Sequence, residues 1–340
     1  SDIDLFYMSK IQNKSIVVTG TNGKSTTCKV IEHLLKKNNF DVKLVGNIGQ
    51  PILSIKIKKN TIIVIEASSF QLAYSKFIKP DYAMILNISK DHLDWHKNMK
   101  NYINAKFKIF SNQDNKNFAL LNNQILIKRF KTQKYKSKLK KVNKNYINFF
   151  NSQIRNKYLN LKINSENIQY AYALSKILKI KTNSFIKACN SYIGLPHRYE
   201  EFYKIKGINF INDSKATSFE SCSKALQVNK NIYWIVGGKP KQGDIFKFDK
   251  VIKNNIRAFI IGKNISFFKK KLKNKIDFQV VNSMKNAVIN ILKEIKKKKL
   301  NKPSTVLLSP AGASYDQYRN FIERGNEFKK IVRLYASKYI

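Results

Sequence analysis

The stretch Gly20-Thr21-Asn22-Gly23-Lys24-Ser25-Thr26 has the residue types that hold a phosphate chain. Its glycines let the backbone curl so that amide N–H groups face an anion. A following helix would add the positive end of its dipole, and Lys24 a point charge for the β and γ phosphates. Ser25 would sit at the helix start, where a hydroxyl can hold magnesium. The strict phosphate-loop spacing asks for glycine at position 18, which is Val18, so this loop is a shortened variant. The plain alternative is a glycine turn before a helix. Two further positions could carry chemistry. Glu66 follows an apolar run, where a carboxylate would stand at the open end of a parallel sheet beside the phosphate loop and bind a metal. His92, between Asp91 and Asp94, could ligate a second cation through a neutral ring nitrogen.

Such residues need a sheet with helices on both faces. The β-branched run Ile16 to Thr19 breaks at Gly20, and a helical pattern runs from Ser25 to Lys37. Further strands are expected at Val42 to Val45, Thr61 to Ile65 and Ala83 to Leu86, with helices from Glu166 to Lys179 and from Thr182 to Ser191. The basic stretch from about Ile125 to Asn160 reads as short strands and loops. Gly194, Leu195 and Pro196 form a break with Pro196 as pivot, dividing the chain into domains 1–195 and 196–340. Beyond it come strands at Ile208 to Ile211, Ile232 to Val236, Ala258 to Ile261 and Thr305 to Leu308, and a helix from Ser218 to Gln227. Alternating strands and helices imply an α/β fold with a mostly parallel sheet in each half. No GxGxxG follows a strand in the second half, so a dinucleotide site is not indicated.

Composition narrows the classes. The 340 residues suit two domains, and 43% hydrophobic residues in short runs is a globular pattern. No apolar run reaches membrane-spanning length and no leader opens the chain, so a soluble cytoplasmic protein, without membrane insertion, is expected. Cys28, Cys189 and Cys222 lack paired spacing, which argues against disulfides and zinc. The net charge of +44 would suit nucleic acid. Lysine and asparagine, however, dominate even in stretches such as Lys131 to Phe150, and no aromatic-interleaved recognition module is present. A compositional bias is the simpler reading, with no nucleic-acid partner.

The wording TGTNGKST resembles the Mur ligase and folylpolyglutamate synthase superfamily. Further blocks are similar to its D-glutamate-adding branch: Gly46-Asn47-Ile48-Gly49, Glu66 through Leu72, Asn87 through Asp94, Gly194 through Arg198, Asn212 through Thr217, and Ser309-Pro310-Ala311 through Ser314, Asp316-Gln317 and Arg324 through Phe328. The resemblance runs along essentially the whole chain. It implies a P-loop-type central ATP-binding domain and a Rossmann-like C-terminal domain that binds the amino acid. The implied activity is ATP-dependent joining of D-glutamate to UDP-N-acetylmuramoyl-L-alanine, through an acyl phosphate, in peptidoglycan synthesis.

The resemblance also assigns roles. Gly20 to Thr26 bind ATP, Ser25 and Glu66 hold one of two magnesium ions, and Asn47 and Gln71 touch the muramoyl-alanine end of the substrate. His92 works with Lys106, a lysine carbamylated by carbon dioxide. Arg198 contacts phosphates, with His197 beside it, and Asn212 the adenine; Lys24 and Lys215 stabilise developing negative charge. Helix capping is the competing role for Asp213 and Ser214. D-glutamate carries two carboxylates and needs cations and oriented donors, for which the resemblance offers Lys241, Lys263, Ser314 and Phe321. Three positions depart from the pattern: Ser218 stands where asparagine is frequent, and Glu166 and Tyr170 flank Asn167 in place of histidine and asparagine.

The resemblance to the D-glutamate-adding branch implies a further N-terminal domain, about one hundred residues by ordinary domain size, that grips the UDP. The chain starts at Ser1, and Asp2 to Phe6 looks like the linker leaving that domain, so a fragment of a longer monomeric protein is expected. The competing readings are a ligase for another amino acid or for folate, against which the C-terminal block argues, and a scaffold that has lost catalysis. Retention of Lys24, Glu66, His92 and Lys106 together argues against the scaffold.

Overall fold

Runs of isoleucine and valine form the middle of two sheets, and the residues that end those runs mark where the sheets open. The computed structural model describes residues 1–9, 13–143, 153–160, 162–241, 243–246, 255–298 and 303–340. They divide into two compact units, Ser1–Ile193 and Gly194–Ile340.

The first unit begins with α1 (Asp2–Met8), then β1 (Ser15–Thr19), α2 (Lys24–Lys37), β2 (Val42–Gly46), β3 (Ile62–Glu66), α3 (Ser69–Tyr74) and β4 (Tyr82–Ile85). It continues with α4 (Leu93–His96), α5 (Met99–Phe107), β5 (Phe118–Leu121), α6 (Gln124–Thr132), β6 (Lys138–Lys141), α7 (Lys157–Asn160), α8 (Ser165–Ile177) and α9 (Thr182–Asn190). The sheet order is β2-β3-β1-β4-β5-β6, parallel throughout. Both faces are therefore covered. Ile16 and Val18 of β1 pack with Ile31, Leu35, Tyr170 and Phe185, while Val17 packs on the other face with Phe6, Leu72, Phe110 and Phe130.

The second unit contains β7 (Glu200–Ile205), β8 (Ile208–Asn212), α10 (Phe219–Val228), β9 (Ile232–Gly237), β10 (Ile256–Ile261), α11 (Ile265–Leu272), β11 (Asp277–Asn282), α12 (Met284–Lys298), β12 (Ser304–Leu308) and α13 (Phe321–Tyr339). Its order is β11-β10-β9-β12-β8-β7, parallel except for the antiparallel edge strand β7. Phe210, Ile235 and Phe259 face α12 and α13 through Ile291 and Phe328. On the opposite face Trp234 meets Phe219 and Phe246.

The expected strands and helices are present with small shifts; Glu66 closes β3 instead of following it. The expectation of short strands and loops from Ile125 fails at α6, a helix capped by Asn123, whose Leu126, Ile127 and Phe130 bury one face. A short strand does follow at β6, and positions 144–152 of that stretch lie outside the described residues. Among the described residues, no helix is long and apolar enough to cross a membrane.

Candidate active site

In the first unit, the loops leaving β1, β3 and β4 meet at the carboxyl end of the parallel sheet. Gly23 has φ +85° and caps α2 without a side chain of its own to bond the first-turn amides. A Cβ at Gly23 would stand 2.5 Å from Asn167 Oδ1. The loop is seated on the segment after β4: Thr21 N–H donates to Asn87 O (2.9 Å) and Asn22 N–H to Asn87 Oδ1 (2.8 Å). Lys24 curls over it, donating from Nζ to Gly20 O (2.9 Å) and Thr21 O (3.0 Å). Ser25 and Thr26 are buried in the first turn of α2. This is an anion cradle of amides and one ammonium.

Glu66 is 1% exposed. Its Oε1 accepts from Asn47 Nδ2 at 3.2 Å, while Oε2 is buried with no hydrogen-bond partner. A buried carboxylate oxygen without a donor is costly, and a hard cation would satisfy it. Asn47 is delivered by Gly46, whose φ is +99° and where a Cβ would fall 2.4 Å from Glu66 O. Gln71 is half-buried and forms a capping box with Ser68, its Oε1 accepting from Ser68 N at 3.0 Å.

His92 caps α4 in a left-handed conformation, φ +55°. Its Nε2 lies 3.4 Å from Asp91 Oδ2, and its ring stands edge-on to Phe70. Lys106 is 1% exposed and comes from α5, donating to Gly20 O at 2.9 Å and lying over the Tyr102 ring at 4.7 Å. Burial, and then the charge of Lys24, hold its pKa well below the ordinary lysine value, against the pull of Asp91. An amine so placed is a nucleophile at a pH where surface lysines are not. Among the described residues no three His, Cys, Asp or Glu side chains form a metal cluster.

In the second unit the loops after β8, β9, β10 and β12 again share the carboxyl edge of a sheet. Lys215 follows β8, and its Nζ sits 4.0 Å from the centre of the Phe321 ring. Its backbone N–H donates to His197 O at 3.1 Å. Lys263 is exposed, with its N–H held by Asp316 Oδ2 at 3.0 Å. Lys241 and Arg198 are half-buried, and Ser314 is buried. Asn212 closes β8. It is 0% exposed; its Nδ2 donates to His197 Nδ1 (2.9 Å) and Gly325 O (3.2 Å), and its Oδ1 accepts from Ser214 N (3.2 Å). Through these bonds its amide organises the loop after β8.

Capping by Asp213 or Ser214 is overturned, since α10 is capped by Ser218 in a box with Ser221. Asp213 instead accepts from Tyr199 N (3.1 Å) and Ser309 Oγ (2.9 Å), and burial pushes its pKa up to about 7. Arg324 has no role in the sequence reading. It is buried and donates to Ser214 Oγ (3.0 Å), Ser214 O (2.7 Å) and Gly312 O (2.9 Å), tying the β8 loop to the β12 loop. Its sequence signal is its place at the head of the block Arg324 through Phe328.

Residues 18–187 match the model of the Mur ligase middle domain. A UDP-N-acetylmuramoylalanine–D-glutamate ligase of Rickettsia prowazekii is 36% identical over 352 residues, 98% of this chain and 79% of that protein. The protein of the same name from Fervidobacterium nodosum is 36% identical over 340 residues, 98% of this chain and 78% of that one. Among solved structures, MurF of Acinetobacter baumannii gives a TM-score of 0.72 at 14% identity, covering 97% of this chain and 79% of its own. MurF ligase of Thermotoga maritima in complex with ADP gives 0.68 at 15% identity, covering 100% of this chain and 85% of its own. These two likenesses concern the fold.

Proposed function

Because the chain belongs to the Mur ligase family, we propose that it is the ATP-dependent ligase that adds D-glutamate to UDP-N-acetylmuramoyl-L-alanine in peptidoglycan synthesis. The similarity to relatives of that name, along 98–99% of this chain and 78–79% of theirs, supports the substrates. The observation that carries the chemistry is the glycine-rich helix start with Lys24 folded onto its loop, beside the neighbouring strand β3, whose Glu66 has a buried carboxylate oxygen with no hydrogen-bond partner.

The amides of Gly23 to Thr26 and the Lys24 ammonium, released from Gly20 O and Thr21 O, receive the β and γ phosphates. The alanyl carboxylate attacks the γ phosphorus; the bond to the bridging oxygen breaks, leaving ADP and an acyl phosphate. The D-glutamate amine then attacks the acyl carbon, phosphate departs, and an amide remains with loss of one amine proton. Lys24 and Lys215 hold the negative charge that develops. Magnesium, when bound, supplies further charge neutralisation, with Ser25 and Glu66 holding one ion and His92 and carbamylated Lys106 a second. The carbamate forms when the neutral Lys106 amine adds to carbon dioxide and loses a proton, and a buried lysine of lowered pKa fits that need. Asn47 and Gln71 meet the muramoyl-alanine end, Arg198 the phosphates, and Lys241, Lys263, Ser314 and Phe321 the D-glutamate. A central ATP-binding domain (1–195), an amino-acid-binding domain (196–340), a monomeric state and a cytoplasmic location belong to the same proposal.

Phosphate release with ATP, magnesium, UDP-N-acetylmuramoyl-L-alanine and each of D-glutamate, L-lysine and meso-diaminopimelate tests it. The assay is run on this chain and on a fusion carrying the N-terminal part of the Rickettsia prowazekii relative. Release that depends on D-glutamate is expected; release with another amino acid, or with none, overturns the assignment.

A further inference from the structure

Glu166, in the first turn of α8, spends both carboxylate oxygens on asparagine amides. Its Oε2 accepts from Asn87 Nδ2 at 2.6 Å and its Oε1 from Asn122 Nδ2 at 2.9 Å. Among the described residues no ion pair involves it. Asn87, just beyond β4, grips the phosphate loop with the same side chain: Oδ1 accepts from Asn22 N–H at 2.8 Å and Nδ2 donates to Asn22 O at 3.1 Å. Asn122, just beyond β5, also donates its backbone N–H to Tyr170 OH at 3.1 Å. Tyr170 lies one turn further along α8 and donates to Ile85 O at 2.7 Å.

A carboxylate offers acceptors only, so Glu166 dictates which end of the Asn87 amide faces it. Rotated by half a turn, that amide would set its oxygen against the carboxylate and its NH2 against the Asn22 N–H, two repulsive contacts. We propose that Glu166 is a positioning residue for the phosphate loop: by fixing the orientation of the Asn87 amide it fixes the Asn22 peptide, and with it the direction in which Gly23 and the next amides point. The inference rests on the nucleotide-site reading and goes beyond it by assigning the loop's geometry to a carboxylate on α8.

The test is E166Q, N87A and the double variant, each read by equilibrium titration of ATP, by melting temperature, and by amide hydrogen exchange of 21–24 without nucleotide. Glutamine replaces one acceptor by a donor, so one of the two amides must turn or lose its partner. The expected result for E166Q is ATP binding weakened about fivefold to tenfold, the value of one hydrogen bond. Exchange in 21–24 should quicken while the melting temperature and the KM for D-glutamate stay near wild type. N87A should match it, and the double variant should be no worse than N87A. Unchanged exchange and unchanged ATP binding in E166Q, or effects of the two single changes that simply add, overturn the proposal. Quickened exchange in a chain that binds no ATP would instead overturn the nucleotide-site reading and leave the positioning role standing.

Discussion

Lys24 and Asp213 both lie half-buried against loop backbones and differ in what their charge does. Lys24 has carbonyl partners that a triphosphate would displace. Lys24→Met should therefore lower phosphate release about 100-fold or more with the fold retained by circular dichroism; turnover within a few-fold of wild type would remove Lys24 from the mechanism. Asp213 is held up to about 7 by burial, against an ordinary 3.8. The folded state then keeps a proton the unfolded chain has lost. The contribution to stability is complete below the ordinary value and disappears as pH rises through about 7. Asp213→Asn, which keeps an acceptor for Tyr199 N–H, should gain in urea midpoint over wild type between about pH 5 and about pH 8. A difference between the two proteins that stays constant with pH would show that the carboxyl is ionised throughout.

Helices α6 and α13 show why some elements were harder to read than loops. The phosphate loop was legible because its glycines, Lys24 and Ser25 must fall between a strand and a helix, and Glu66 because an acidic residue ends an apolar run. Helix α6 was missed since exposed Ile125 stands with Lys128 and Lys131 on its solvent face and blurs the period of the three buried residues, Leu126, Ile127 and Phe130. The edge strand β7, half-exposed and charged, lacks the apolar run that marked central strands. The tie through Arg324 was invisible because a buried arginine is defined by partners distant in sequence. At Gly325, beside it on α13, a Cβ would lie 2.2 Å from His197 Nδ1 and 2.9 Å from Asn212 Nδ2. Gly325→Ala should cost about 1–3 kcal/mol by overpacking, read as a lowered melting temperature. An unchanged melting temperature would mean that His197 and Asn212 can yield without loss, and that their pairing is not tightly held.

Over the whole molecule, 65 lysines and arginines face 21 acidic residues. Self-repulsion of that size opposes the compact state and is screened by salt. The melting temperature should climb when salt is raised from about 0.01 M to about 0.15 M; a fall would point to ion pairs as the dominant electrostatic term. Buried thiols give the two units separate voices. Cys28 and Cys189 lie inside the first unit and Cys222 inside the second, all buried and unpaired, with burial raising the pKa of each. Thiolate chemistry at these sulfurs waits for local opening. A dilute alkylating reagent thus turns the chain into its own pair of clocks, one for each unit, and mass spectrometry of the labelled peptides times when each sheet comes apart.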